Sequence, residues 1–222
     1  MLDSRSERIL IVLRSRFGKP ERKVWFDDSF KTLVATIISQ NTAEINTSRA
    51  MENLSNKFPI TPRELAKADE KEIEKCLKVA GLYRNKAKTI KRISKIILEE
   101  YRGDLKSILS LPFEEARNAL IRFPGVGPKT ADVVLLFSAN QKTIPVDTHV
   151  NRVSKRLGLA QPKDSYEMVR KSLQSTYHAQ EYMQVHLLLI LLGRKYCKAR
   201  FPLCRECPLA DLCPSRHLGV HR

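Results

Sequence analysis

The sequence predicts an all-α fold, in a chain long enough for one large domain or two small ones. Three observations carry this: apolar residues recur at three- and four-residue spacing in most segments, strand-like alternation is weak, and helix stops and caps fall between the periodic stretches. The first helix is expected from about Ser4 to Phe17, with Ile9, Leu10, Val12 and Leu13 near one stripe and Gly18-Lys19-Pro20 as its stop. Phe30 to Ile38 is apolar on most sides, so it should run through the middle of a core despite its β-branched content. Two shorter helices are expected between Asn46 and Phe58 and between Asp69 and Val79. Pro59 and Pro62 read as breaks between them, and Thr61 and Asp69 as N-caps.

A further helix begins near Leu82 and continues to about Tyr101, where Lys86, Lys88, Lys91, Arg92 and Lys95 read as a solvated basic face. Gly81-Leu82-Tyr83, just before it, reads as an exposed turn. The stretch from Pro112 to Ser138 reads as helix, tight turn, helix: Phe113 to Arg122, then Pro124-Gly125-Val126-Gly127, then Pro128 to Phe137. Pro128 suits a first helical position, where its missing N–H costs nothing. Asp147 reads as the cap of the next helix, whose buried side is Val150, Val153 and Leu157. Two more helices, Ser165 to Thr176 and Ala179 to Tyr196, precede a cysteine-rich tail. There is no internal repeat and no low-complexity linker.

The chain has 222 residues, with 40 Lys and Arg against 24 Asp and Glu, for a formal charge of +16. Its pI near 9.8 exceeds what solubility asks for, and the basic residues run through the whole length. The implied partner is a polyanion. Nucleic acid is favoured over a membrane, because no apolar run approaches the roughly 18 to 20 residues of a spanning helix. Met1-Leu2-Asp3-Ser4-Arg5 lacks the apolar core of a secretory signal, so an intracellular location in cytoplasm or nucleoid is expected. In that reducing setting clustered cysteines point to a metal rather than to disulfides.

In Phe123-Pro124-Gly125-Val126-Gly127-Pro128-Lys129-Thr130-Ala131 two glycines join two helices, at a spacing that lets the backbone approach another object closely. A Gly-x-Gly turn alone is a weak signal. Followed by a helix start whose dipole favours an anion, and set in a chain of this charge, it reads as a phosphate cradle. The tail carries Cys197, six residues, Cys204, two residues, Cys207, five residues, Cys213. Four such thiolates can hold either zinc or a four-iron cluster, and the count alone does not decide. Cys76 lies outside the set and reads as a buried thiol.

The hairpin, Val146-Asp147-Thr148-His149 and the cysteine spacing, in that order, resemble the endonuclease III family of helix-hairpin-helix DNA glycosylases. Gly81-Leu82-Tyr83, the Ser39 region and Leu192-Gly193-Arg194 extend the resemblance over nearly the whole chain. The resemblance implies removal of oxidised pyrimidines from double-stranded DNA carrying damaged bases or abasic sites, with strand cleavage by β-elimination. It implies Lys129 as nucleophile, Asp147 as essential carboxylate, and a [4Fe–4S] cluster on Cys197, Cys204, Cys207 and Cys213. The roles suit the residues: a lysine at the positive end of a helix dipole is expected to lose its proton more readily, and a carboxylate can stabilise a cationic sugar.

An enzyme that acts on a stacked base must extrude it and fill the hole. The resemblance puts the filling residues at Leu82 and at the turn after Ser39, where Asn41 stands in the place of a common glutamine and Gln40 precedes it. Ile121 departs too, where some members are acidic. Further DNA contacts are expected at Gly125, Gly127, Lys198 and Arg200, the last two on a loop that also bears Lys195 and Arg205. The expected domains are 28–141, with the hairpin, and 1–27 plus 142–222, with the cluster. Lys129 and Asp147 are expected to meet in the cleft between them, and the chain is expected to be monomeric. Two rivals stand beside this reading: a monofunctional G·T/G·U mismatch glycosylase, against which Lys129 argues, and a non-catalytic hairpin protein, which would need neither Lys129 nor Asp147.

Overall fold

The computed structural model describes residues 4–20 and 28–219. The N-terminal Met1-Leu2-Asp3 and the expected boundary between 27 and 28 fall at or within stretches outside the described residues. In chain order the helices are α1 (Ser4–Phe17), α2 (Ser29–Ser39), α3 (Glu44–Lys57), α4 (Pro62–Lys67), α5 (Glu70–Leu77), α6 (Tyr83–Glu100), α7 (Lys106–Leu109), α8 (Phe113–Ile121), α9 (Pro128–Ser138), α10 (Thr148–Arg156), α11 (Tyr166–Thr176) and α12 (Tyr182–Lys195). Among the described residues there is no strand, so the fold is all-α. The chain forms two compact units, Arg22–Gln141 and Met1–Glu21 with Lys142–Arg222.

The continuous unit is built around α2 and α9. Every residue from Thr32 to Ile38 and from Thr130 to Phe137 is buried, which is why both segments are apolar on most sides. Around them pack Leu54 of α3, Leu65 of α4, Ile73 and Leu77 of α5, and Ile90, Ile93 and Ile97 of α6. Asp28, Thr61 and Asp69 cap α2, α4 and α5 through their side chains. Pro62 is not a break: it opens α4 as its first residue, directly behind the Thr61 cap, where a missing N–H is tolerated.

The two helices of the hairpin are tied by a buried ion pair. Arg117 Nε of α8 donates to Asp132 Oδ1 of α9 at 2.8 Å, and Nη2 reaches Oδ2 at 3.3 Å. Asp132 is fully buried and Arg117 nearly so. Removing one partner of such a pair takes from the other the counter-charge that offsets its burial. Asp132→Ala should therefore cost about 3–5 kcal/mol in urea unfolding. Glu72→Ala, which breaks the exposed Lys57–Glu72–Lys75 bridges, should cost no more than about 1 kcal/mol. Equal losses would place the Arg117–Asp132 pair in a far more polar setting than its burial indicates.

The discontinuous unit gathers α1 and α10 to α12. Ile9, Leu10 and Leu13 of α1 bury against a core that includes Val150, Val153, Val169, Leu173, Leu188, Leu189 and Leu192. The segment expected as one helix from Ala179 to Tyr196 is divided, because Ala179–Glu181 forms a 3-10 turn before α12 begins at Tyr182. His178 and Glu181 bracket that turn reciprocally as a capping box. Among the described residues no helix is long and apolar enough to cross a membrane.

Candidate active site

Within the continuous unit three turns carry the predicted residues. The hairpin turn brings the chain from α8 to α9 through Gly125, whose φ of +72° lies in the left-handed region. A Cβ there would come within 2.9 Å of Thr89 Cγ2, so both conformation and space require glycine. Gly127 differs from Gly125: its φ is −97° with ψ −179°, extended backbone that any residue adopts. A Cβ at Gly127 would meet nothing within 4 Å, so its face is open to whatever lies outside.

Gly127 also serves as the N-cap of α9 without offering a side chain, and Pro128 follows at the first helical position. Lys129 is therefore the second residue of an 11-residue helix, half-buried at its positive end. Gln40 sits beside this turn and donates from Nε2 to Gly125 O at 3.0 Å. Asn41, the next residue, is exposed and left-handed at φ 53°. Leu82 is 60% exposed and also left-handed, at φ 46°, immediately ahead of α6. A bulky apolar residue rarely takes that backbone shape and gains nothing from facing water.

In the discontinuous unit Asp147 caps α10, with Oδ1 accepting from Val150 N at 2.7 Å. The approach to it is fixed by contacts that sequence reasoning missed. Buried His186 holds Pro145 O at 2.8 Å through Nδ1, and the Tyr166 hydroxyl accepts from Val146 N at 3.4 Å. His149 is half-buried, and burial, partly opposed by the Asp147 charge, lowers its pKa. Its Nδ1 lies 3.1 Å from Arg152 Nη2, and it packs so closely on α12 that a Cβ on Gly193 would come within 2.9 Å of it.

Arg152 and Arg156, one turn apart on α10, reach into the cysteine loop. Arg152 Nε donates to Cys197 O at 2.9 Å, and Arg156 Nη1 to Lys198 O at 2.7 Å. Cys197, Cys204, Cys207 and Cys213 are free thiols lining one cavity, with Leu192 and Tyr196 among its apolar walls. Burial and the proximity of the other three thiols push Cys207 up to about 11, and burial likewise raises Cys213. Among the described residues, no three His, Cys, Asp or Glu side chains form a group that could hold a single metal ion between them. The four thiols surround a shared space instead. Lys195, Lys198, Arg200 and Arg205 are all exposed around it. Cys76 is buried elsewhere, and burial raises its pKa.

Residues 34–178 match the HhH-GPD superfamily base excision DNA repair protein family. Endonuclease III of Bacillus subtilis (strain 168) is 37% identical over 197 residues, 89% of this chain and 86% of its own length. The chain belongs to the HhH-GPD superfamily, in its endonuclease III branch. Two solved structures of endonuclease III, one a non-covalent DNA complex and one a trapped DNA covalent intermediate, match over the full length of both chains. Their TM-scores are 0.84 and 0.83, at 32% and 31% identity.

As an endonuclease III family member the chain is an enzyme of base excision repair. The structure brings Gln40, Asn41, Gly125 and Lys129 together around the hairpin, with Leu82 on a turn of the same unit. Asp147, Lys198, Arg200 and the four cysteines belong to the other unit. Lys86 corrects the sequence reading: it is not part of a solvated face but only 4% exposed, whereas Lys88, Arg92 and Lys95 remain in water. The signal that could have found it is its place one turn ahead of Ile90, Ile93 and Ile97 on the apolar stripe of the helix.

Proposed function

We propose that this chain is a bifunctional DNA glycosylase and abasic-site lyase that removes oxidised pyrimidines from double-stranded DNA. The observation that carries the reading is Lys129 at the open N-terminus of α9, directly behind the hairpin. In its neutral form the amine attacks C1′ of the extruded nucleotide. The C1′–N bond breaks and its electron pair leaves with the base, giving an imine as the sugar ring opens. Loss of a C2′ proton then expels the 3′ phosphate, and water releases the enzyme. Asp147 stabilises positive charge as it develops on the sugar and relays protons; capping α10 employs one of its two oxygens.

The continuous unit serves as the hairpin domain and the discontinuous unit as the cluster domain. The cysteine loop fits a [4Fe–4S] cluster held by Cys197, Cys204, Cys207 and Cys213: the four half-buried thiols line one cavity, and a metal group there would supply the positive charge that lets them stand as thiolates. Such a group would act structurally, fixing the loop so that Lys198 and Arg200 meet the phosphate backbone. Protein purified without air should be yellow-brown and carry about four irons per chain. A colourless protein with stoichiometric zinc would overturn the assignment.

The reading is tested with a panel of duplexes, each holding one lesion, incubated with the enzyme and resolved for base release and strand cleavage. Oxidised pyrimidines should be released and their strand cut in the same incubation. Release confined to G·T or G·U mismatches, with the strand left whole, would replace this reading with a monofunctional glycosylase.

A further inference from the structure

Lys86, in the first turns of α6, is a cation in the interior of the continuous unit, only 4% exposed. An ammonium has three N–H donors, and three acceptors meet it: Ile38 O at 2.8 Å, Ala80 O at 2.9 Å and Thr42 Oγ1 at 2.5 Å. None of these is a carboxylate. Ile38 lies in the last turn of α2, so its carbonyl contributes the negative end of a helix dipole. Thr42 in turn donates to Ala80 O at 2.5 Å. Desolvation lowers the lysine's pKa, the ordinary cost of holding a charge there.

The three acceptors flank the two protruding tips. Ile38 and Thr42 bracket Gln40 and Asn41, and Ala80 lies two residues before Leu82. Both tips hold non-glycine residues in the left-handed region, a shape that persists only where the surroundings impose it. Gln40, bonded to Gly125, ties the first turn to the hairpin and leaves Asn41 as the outward side chain. We propose that Lys86 is a positioning residue: by binding Ile38 O, Thr42 and Ala80 O at once, it fixes the spacing of the Asn41 and Leu82 tips so that both enter the space vacated by one extruded nucleotide. This rests on the reading above, in which an extruded base leaves a gap that these turns fill.

The test uses Lys86→Met, which keeps the length and apolar bulk of the side chain, and Thr42→Val, which keeps the lysine and removes one partner. Each is assayed on a base-paired lesion in duplex DNA and on an abasic site in single-stranded DNA, where nothing need be unstacked. Lys86→Met should lose at least about tenfold on the duplex lesion and stay within about twofold on the single strand. Thr42→Val should show the same selectivity at smaller amplitude. Equal losses on both substrates would reduce Lys86 to a packing residue. If Lys86→Met fails to fold, Thr42→Val decides, and behaviour identical to wild type overturns the proposal.

Hydrogen exchange separates this from the functional reading. The amides of Gln40, Thr42 and Gly81, bonded within their turns, should lose protection together in whichever variant folds. Loss in one turn alone, or throughout the unit, would contradict the proposal even if wild type proved inactive on every lesion. A wild type inactive on lesions with both turns loosening in concert would sink the glycosylase reading while keeping the clamp.

Discussion

Asp147→Asn will lower base release by about 10²- to 10³-fold while leaving the fold nearly unchanged. Both halves follow from the position of the carboxylate. Asp147 Oδ1 caps α10 by accepting from Val150 N at 2.7 Å, and asparagine caps a helix about as well as aspartate. The substitution therefore removes charge without removing the cap, and thermal unfolding should shift little. What disappears is the negative group that offsets positive charge on the sugar as the glycosidic bond breaks. Asp147→Ala loses the cap as well and should cost about 1 kcal/mol of stability in addition. Cleavage of a pre-formed abasic site should survive partly in Asp147→Asn, because an open-chain aldehyde reacts with an amine without that build-up of charge. Undiminished base release would return Asp147 to the role of a cap.

Lys129→Gln will abolish strand cleavage altogether, on damaged bases and on pre-formed abasic sites alike. Glutamine fits the second position of α9 and leaves Gly125, Gly127 and the helix start intact, so binding to undamaged duplex should be nearly retained in a gel-shift assay. The contrast with Asp147→Asn is diagnostic. Loss of the carboxylate spares part of the lyase step, whereas loss of the amine leaves no imine through which elimination can proceed. Cleavage persisting in Lys129→Gln would require another nucleophile.

Much of this was legible in the sequence because it depends on local pattern. α2 is apolar on most faces because it lies inside, and Asp147 precedes Thr-His-Val as a cap does. The spacing of the four cysteines already set them in one loop, and the fold brings them round one cavity. What the sequence concealed depends on partners distant along the chain. Lys86 stands on the stripe of Ile90, Ile93 and Ile97, but the oxygens that let it be buried come from two main-chain carbonyls and a threonine that no periodicity marks. Gly125 and Gly127 read alike in the motif, yet only Gly125 faces Thr89 and takes a positive φ. Pro62 read as a break because a proline opens a helix as readily as it ends one, and only the residues packed behind α4 decide between them. His186 and Tyr166, which hold the chain ahead of Asp147, carry no local signature at all.

The central claim is that Lys129 bonds covalently to the sugar. It is tested most directly by incubating wild-type enzyme and Lys129→Gln with a duplex bearing one oxidised pyrimidine, in the presence of borohydride, and resolving the products on a denaturing gel. Wild type should run as a stable protein–DNA adduct whose cross-linked peptide contains Lys129, and the variant should give none. Wild-type enzyme that releases the base but leaves nothing trapped would contradict the account.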